Sequence, residues 1–372
     1  MNTNIIFQGS ISKGLQLLIF FVVFSLFSCG EDGDTTMEPA FDRGPLLQSM
    51  ATKLIIPNFE ALQTSVNTLA SATDAFVTTT NEENLVALRA AWVQAVTDHQ
   101  HCSAFGFGPG NLLLGSYAEV LGVFPVNEAG VEANILDAGF DLPNSFDRDI
   151  RGFYAVEYLI YGKGASDTEL LTAFDQNRKD YLLLLVNELK TTFDTIVNEW
   201  NATYLQEFIA NDGTSAGSSI SLLYNEFVKD YENLKNFKLE LPAGLTADQD
   251  AADGTLVEAF YSGISRDLIA EHFNNTKNSW LGLSRAGEEI MGFQSYLEMV
   301  VGGPALILNT KEAINQIDNA IAALPSGRLS DHAGSAEVKN LRDELQANTA
   351  NFKSSMSSLL GISITFNSGD GD

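Results

Sequence analysis

The sequence has few of the residues that several common kinds of site require. It contains only two cysteines, Cys29 and Cys102, which excludes a fold held together by a framework of disulfides. Only four histidines occur in 372 residues, so a histidine-rich metal site is difficult to build. Neither a phosphate-binding P-loop nor a His-Glu-x-x-His zinc string is present.

Positive charge is also scarce. Lys and Arg total 21 against 48 Asp and Glu, which gives a formal net charge of −27. Because contacts to phosphate groups need clustered cations, we expect no nucleic-acid partner. The apolar fraction of 45% is large enough for a buried core, so wholesale disorder is excluded.

One almost wholly apolar run covers residues 14–27 and reads GLQLLIFFVVFSLF. It is short for a membrane-spanning helix and typical of a signal-peptide core. The string Leu26-Phe27-Ser28-Cys29 at its end resembles a bacterial lipobox. This resemblance implies cleavage before Cys29 and acylation of its thiol; the alternative is an ordinary signal peptide with a chance cysteine.

We therefore expect a signal peptide over residues 1–28 and a flexible acidic tether over residues 29–42. An acidic run directly after the lipidated Cys29 resembles the export signals of Bacteroidetes lipoproteins. The resemblance implies a lipid anchor in the outer membrane, with the chain in the periplasm or exposed at the surface. An acidic tether that serves only solubility is the alternative.

Beyond residue 42 the apolar residues recur with the period of a helix, and no run alternates convincingly as a strand does. One stripe contains Trp92, His99 and Cys102, which predicts that His99 packs in the core. His99 and His101 would point about 200° apart on a helix, so they cannot chelate one metal together. Helices are predicted near residues 46–71, 82–104, 149–161, 168–200, 216–238, 255–273 and 333–360, with shorter helices between residues 290 and 323.

The order of these elements repeats in the two halves of the chain. The short string Gly152-Phe153…Glu157 also has an echo in Gly292-Phe293…Glu298. We therefore predict an all-α fold of two related four-helix-bundle-like domains that arose by duplication, over residues 43–205 and 206–366.

Several strings, in their order along the chain, resemble the imelysin-like family of metallopeptidases. They are Ile55-Ile56-Pro57-Asn58-Phe59, Phe105-Gly106-Phe107-Gly108-Pro109, Arg151-Gly152-Phe153-Tyr154-Ala155-Val156-Glu157 and Val257-Glu258-Ala259-Phe260-Tyr261-Ser262-Gly263. The resemblance implies two helical bundles with a cleft at their junction. It also implies a supporting role in iron or haem uptake, because relatives include iron-regulated proteins.

The family's hallmark is Gly-x-His-x-x-Glu, which is proposed to bind metal. This chain keeps Gly152 and Glu157 but has Tyr154 at the histidine position. A neutral phenol is a poor zinc ligand, so we expect a non-catalytic protein that binds a small ligand or an envelope partner. The alternative is a metallopeptidase in which a divalent metal uses an altered ligand set, such as Glu157 with His272 or His99.

The predicted cleft residues come from three of these strings. Tyr154 and Glu157 share one helical face, and Glu258, Tyr261 and Ser262 fall within one predicted helical turn. The Gly-rich loop adds Gly108 and Pro109. Two structural alternatives stay open: Tyr154 and Glu157 could serve only packing and local pairing, or the junction could be filled as in a purely structural interaction module.

Overall fold

A computed structural model of the chain describes residues 41–138, 142, 146–162 and 166–366. Over these residues the protein consists of helices, connecting turns and one antiparallel hairpin of β1 (Asn111–Leu112) and β2 (Gly115–Ser116), which confirms the all-α class. The predicted signal peptide, Cys29 and all but the last two residues of the tether lie outside the described residues. No helix of the described ranges has the length and apolar character needed to cross a membrane.

The first half of the described chain begins with a helix that is continuous from Arg43 to Thr78. Pro57 lies at the start of its second part, directly after a wider π-helical turn over Ala51–Ile55. Proline lacks an N–H group and its ring collides with the preceding turn, so the wider turn accommodates it. The helices of this half are α1 (Arg43–Met50), α2 (Ile56–Thr78), α3 (Glu82–Gln100), α4 (Tyr117–Leu121), α5 (Glu128–Asp137), α6 (Gly152–Tyr161), α7 (Asp167–Ala173), α8 (Gln176–Glu199) and α9 (Leu205–Ala210).

The second half is built from fewer helices in its described residues. π-helical turns follow two of them, over Asn236–Glu240 and Ala350–Met356. The helices of this half are α10 (Ser219–Lys235), α11 (Ser265–Leu281), α12 (Phe293–Leu297), α13 (Gly303–Ala322), α14 (Ala336–Thr349) and α15 (Ser357–Leu360).

Each half has a group of long helices that pack against one another. In the first half these are α2, α3, α6 and α8, and in the second half α10, α11, α13 and α14. The two groups touch where α3 packs on α11. The chain from Phe41 onward forms one compact unit. The boundary near residue 205 and the origin by duplication remain predictions.

The predicted helix over residues 255–273 is wrong at its beginning. Residues 258–263 form turns, and α11 begins only at Ser265. The backbone takes positive φ angles of 52° at Ala259 and 78° at Gly263, which a helix cannot accommodate. Glu258, Tyr261 and Ser262 therefore lie on a turn segment rather than on a helical face.

The position of α6 depends on the glycine at its first residue. Gly152 has a φ of 74°, and a Cβ atom there would lie 2.0 Å from the carbonyl oxygen of Leu121 at the end of α4. Only glycine allows the two helices to approach this closely. The indole Nε1 of Trp92 donates a hydrogen bond of 2.8 Å to the carbonyl of Phe153, which fixes the next residue of α6 against α3.

Candidate functional site

A cavity of about 700 Å³ is lined by residues from both halves of the chain. Its walls are the end of α3, α4, the segments 122–124 and 146–149, α10, the π-helical turn after α10, and α11. Cavities of this size accommodate small molecules, for which volumes of roughly 300–1,000 Å³ are usual.

Carboxylates dominate the charged lining of this cavity, which we call the acidic cavity. Among the described residues, seven acidic side chains line it against three cationic ones, Arg148, Lys229 and Lys238. The acidic residues are Glu119, Asp147, Asp149, Glu226, Asp230, Glu232 and Glu258. Such a surplus of negative charge, next to low-dielectric walls, favours a positively charged guest.

Four phenylalanine rings contribute to the apolar part of the lining. They are Phe124, Phe146, Phe237 and Phe366. Phe146 is 78% exposed and Phe237 is 51% exposed, so these two rings also face solvent. Phe124 is different, because it packs edge-on against the ring of Tyr154 with the centroids 5.4 Å apart.

A buried polar cluster joins α6 to the second half of the chain, and Glu258 is its centre. The hydroxyl of Tyr154 donates a hydrogen bond to Oε1 of Glu258, and Gln100 Nε2 donates to the same oxygen at 3.2 Å. The ammonium of Lys238 lies 2.9 Å from Oε2 of Glu258 and donates to the side-chain oxygen of Gln100. Burial and the neighbouring Glu258 carboxylate raise the pKa of Tyr154 well above its usual value, so the phenol stays neutral.

Glu157 lies in the same region and has a separate partner. Its Oε1 accepts hydrogen bonds of 2.7 Å from both the backbone N–H and the hydroxyl of Ser262. Burial raises the pKa of Glu157 to about 7, and the hydrogen bonds from Ser262 oppose this rise. The carboxyl group therefore changes protonation close to neutral pH.

His99 contributes an imidazole to the lining. The structure places this residue in the core, as predicted. The residue is only 5% exposed and its ring packs against Tyr117 and Phe153. Neither ring nitrogen has a hydrogen-bond partner among the described residues. Burial, followed by the nearby charges of Lys238 and His272, lowers the pKa of His99 to about 3, so the ring is neutral.

His272 lines the same cavity from α11 and is paired with α10. Its Nε2 lies 3.0 Å from Oδ2 of Asp230 and 3.1 Å from the Asp230 carbonyl oxygen. The hydroxyl of Ser103 donates to the same carboxylate oxygen at 3.1 Å. His272 is therefore held by Asp230 rather than by Glu157.

The remaining predicted site residues lie apart from the cavity lining. The hydroxyl of Tyr261 donates to Glu128 at 2.8 Å, and its ring packs on Tyr158. Gly108 lies against the ring of Tyr204, and Pro109, the next residue, is buried. Of the residues singled out as cleft candidates, Glu258 alone is among the described residues that line the cavity.

The side chains present do not fit the metal that the hallmark motif implies. Tyr154 is a neutral donor to Glu258, Glu157 accepts two hydrogen bonds from Ser262, and the charge of Glu258 is matched by an ammonium group. No group of three or more His, Cys, Asp or Glu side chains suited to a metal ion occurs in the part of the chain that the structure describes.

Sequence reasoning missed several residues of this region. Gln100, Lys238 and Glu232 look like ordinary polar positions of helices, although each is almost fully buried. Their partners are distant in sequence, as Gln100 and Glu258 are separated by 158 positions. The helical period of α10 gives a weak signal, because Asp230 and Glu232 interrupt its apolar residues.

One string matches the pattern of a serine-hydrolase nucleophile. Residues 213–217 read Gly-Thr-Ser-Ala-Gly, but they form an exposed connection between α9 and α10. A nucleophile elbow places its serine on a sharp turn between a strand and a helix. Since a helix and not a strand precedes this string, Ser215 does not qualify.

The fold and the sequence were compared with those of known proteins. Two solved structures share the fold: an iron-regulated protein A precursor from Parabacteroides distasonis (TM-score 0.72, 17% identity, covering 88% of this chain and 97% of that one) and an imelysin-like protein from Psychrobacter arcticus 273-4 (TM-score 0.70, 17% identity, covering 88% and 98%). No curated protein matches the sequence. The family model for imelysin, Peptidase_M75, matches residues 55–356, and the chain therefore belongs to the imelysin family.

Proposed function

We propose that this protein is a non-catalytic ligand-binding protein of the bacterial cell envelope, held at the outer membrane by a lipid on Cys29. Its ligand site is the acidic cavity. One observation carries the proposal: the position of the hallmark histidine holds Tyr154, whose hydroxyl is buried and bonded to Glu258, while a cavity of about 700 Å³ is present beside it.

A peptidase of this family would need a metal-bound water as its nucleophile. The donor set around Tyr154 and Glu157 opposes such a site, because each group already has a partner that a metal would displace. The name of the Parabacteroides distasonis neighbour supports a biological role linked to iron supply. Haem carries carboxylates and would meet a lining rich in carboxylates, so direct haem binding in this cavity is disfavoured.

The test is native mass spectrometry of the protein isolated from its own host cells. A small-molecule adduct is expected on the wild type and on Ala87→Trp, an exposed position on α3, but not on Ala118→Trp, which fills the cavity from α4. A folded Ala118→Trp variant that keeps the adduct would place the ligand elsewhere. Metal-dependent cleavage of peptides by the wild type would favour the peptidase alternative instead.

A further inference from the structure

We infer that the acidic cavity takes a small organic cation whose N–H groups are carried on an apolar body, as in a primary amine or a guanidine. This inference rests on the proposed function and names the chemical class of the ligand. The donors of the guest would reach His99 and Glu232, and its carbon skeleton would lie on the phenylalanine rings.

The first support is that two residues of the lining carry buried acceptors without a partner among the described residues. Glu232 is 2% exposed, and its Oε1 receives the ammonium of Lys353 at 2.9 Å. Its Oε2 is buried and has no hydrogen-bond partner among the described residues. The same is true of both ring nitrogens of His99, one of which is an acceptor because the proton of the neutral ring is on the other. Because an unmatched buried acceptor costs about 1–3 kcal/mol, a guest with N–H donors would relieve an existing penalty.

The second support is that both lysines of the lining are already paired with carboxylates. Lys229 pairs with Glu119, Lys238 pairs with Glu258, and Arg148 donates to the carbonyl of Leu114. Glu226 is less completely matched, since its ion-pair partner among the described residues is the Lys229 ammonium, 3.6 Å away. An anionic guest would therefore meet an excess of carboxylates and two lysines that already have carboxylate partners.

The size and the apolar lining favour an organic guest over a metal ion. A cavity of about 700 Å³ is far larger than a bound ion needs. The rings of Phe237 and Phe146 face both the cavity and solvent, where an aromatic face attracts an organic cation and covers its hydrocarbon part. The neutral His99 ring adds an acceptor without adding positive charge.

The test is isothermal titration calorimetry with sets of compounds that share a carbon skeleton and differ in charge. One set is phenylethylamine, phenylethanol and phenylacetate. In further sets, a guanidine is compared with an alcohol and a carboxylate of the same carbon skeleton. In at least one set, the cation should bind at least tenfold more tightly than the neutral and anionic compounds of that set. Added salt should weaken the binding of this cation.

Variants of the lining test whether the preference for the cation comes from the acidic cavity. Glu226→Gln should weaken binding of the cation about tenfold and leave binding of the alcohol unchanged. The matched change Glu60→Gln, at an exposed position of α2, should change neither. His99→Phe should weaken phenylethylamine more than its trimethylammonium analogue, which has no N–H group to donate.

Three outcomes would overturn the inference. A carboxylate or alcohol that binds more tightly than its cation, with binding lost in Ala118→Trp, would keep the cavity as a ligand site but reject the cation. Cation binding that survives both Ala118→Trp and Glu226→Gln would place the cation on another surface. Failure of every amine and guanidine to bind would reject organic cations as the class of ligand. The proposed function is tested separately, by whether the wild type carries a small-molecule adduct that Ala118→Trp lacks.

Discussion

The ammonium of Lys238 lies 2.9 Å from Oε2 of Glu258, and both side chains are almost completely buried, with 7% and 3% of their surface exposed. The pair links the π-helical turn after α10 to the turn segment before α11. Tyr154 and Gln100 bring hydrogen bonds from the first half of the chain to the same carboxylate. The carboxylate at the centre of the buried polar cluster is thus balanced by a cation that belongs to the protein itself.

Removing the cation alone should destabilise the protein strongly. Lys238→Met leaves the Glu258 charge buried and unpaired, and we expect the free energy of unfolding to fall by about 3–5 kcal/mol. The double variant Lys238→Met/Glu258→Gln should recover most of this loss, because no charge is then left in the cluster. Urea denaturation followed by circular dichroism measures both values.

The matched control is the partly exposed pair of Lys190 and Asp194 on α8, whose side chains are 40% and 32% exposed. Lys190→Met should cost less than about 1 kcal/mol. If Lys238→Met were equally mild, the buried pair would contribute little, and the argument for a built-in cation would fail.

Glu157 should make stability depend on pH near neutrality. Its folded-state pKa is raised from 4.5 to about 7, so the folded protein binds a proton more tightly than the unfolded chain does. The resulting stabilisation is complete below about pH 4.5 and is lost as the pH rises through about 7, and at full size it amounts to about 3 kcal/mol.

Glu157→Gln isolates this effect, because the amide oxygen can still accept both hydrogen bonds from Ser262. The difference in unfolding free energy between the variant and the wild type should grow in favour of the variant from pH 5 to pH 8. Unfolding curves at four pH values across this range measure it. A constant difference would mean that Glu157 keeps one protonation state throughout.

The helical architecture could be predicted from the sequence because it depends on local periodicity. The stripe with Trp92 and His99 marks the buried face of α3, and both residues lie there. The beginning of α11 could not be predicted, since the positive φ at Ala259 is imposed by its surroundings and not by its side chain. Local pattern fixes which stretches become helices, whereas tertiary contacts decide where some of them start.

The polar cluster was predictable only in part, for a physical reason. The one-turn spacing of Tyr154 and Glu157 on α6 follows from helical geometry. Lys238 gives no such signal, because a lysine on a helix is usually solvated and its burial beside Glu258 depends on how distant segments pack. The sequence gives equally little sign that the ring nitrogens of His99 lack a partner among the described residues.

His99 should reduce the stability of the free protein. Its two buried ring nitrogens have no partner among the described residues, so His99→Phe, which keeps a ring of similar shape, should raise the free energy of unfolding by about 1 kcal/mol. Thermal and urea unfolding of the ligand-free protein measure the change.

His101, two residues further along, provides the comparison. Its Nε2 lies 3.0 Å from Oε2 of Glu271. His101→Phe removes this interaction and should therefore lower the free energy of unfolding by about 1 kcal/mol. Opposite signs for the two variants would support a polar group retained at position 99 for binding. A loss of stability in His99→Phe equal to that in His101→Phe would indicate a hidden structural partner instead.

Restoring the hallmark histidine should not by itself create a metal site. In Tyr154→His, the Glu258 carboxylate still pairs with Lys238, and the ammonium would repel a divalent cation. In Tyr154→His/Lys238→Met, Glu258 loses its counter-charge while an imidazole stands beside Glu157 on α6, which gives a histidine and two carboxylates in one region.

We therefore expect stoichiometric zinc in the double variant, and none in the wild type, Tyr154→His or Lys238→Met. Elemental mass spectrometry of the proteins, purified without chelators, measures the zinc content. Zinc should also raise the melting temperature of the double variant alone, because a metal that binds only the folded state stabilises it. Zinc uptake by Tyr154→His without the second change would show that the phenol, and not the ammonium of Lys238, is what keeps metal from this region.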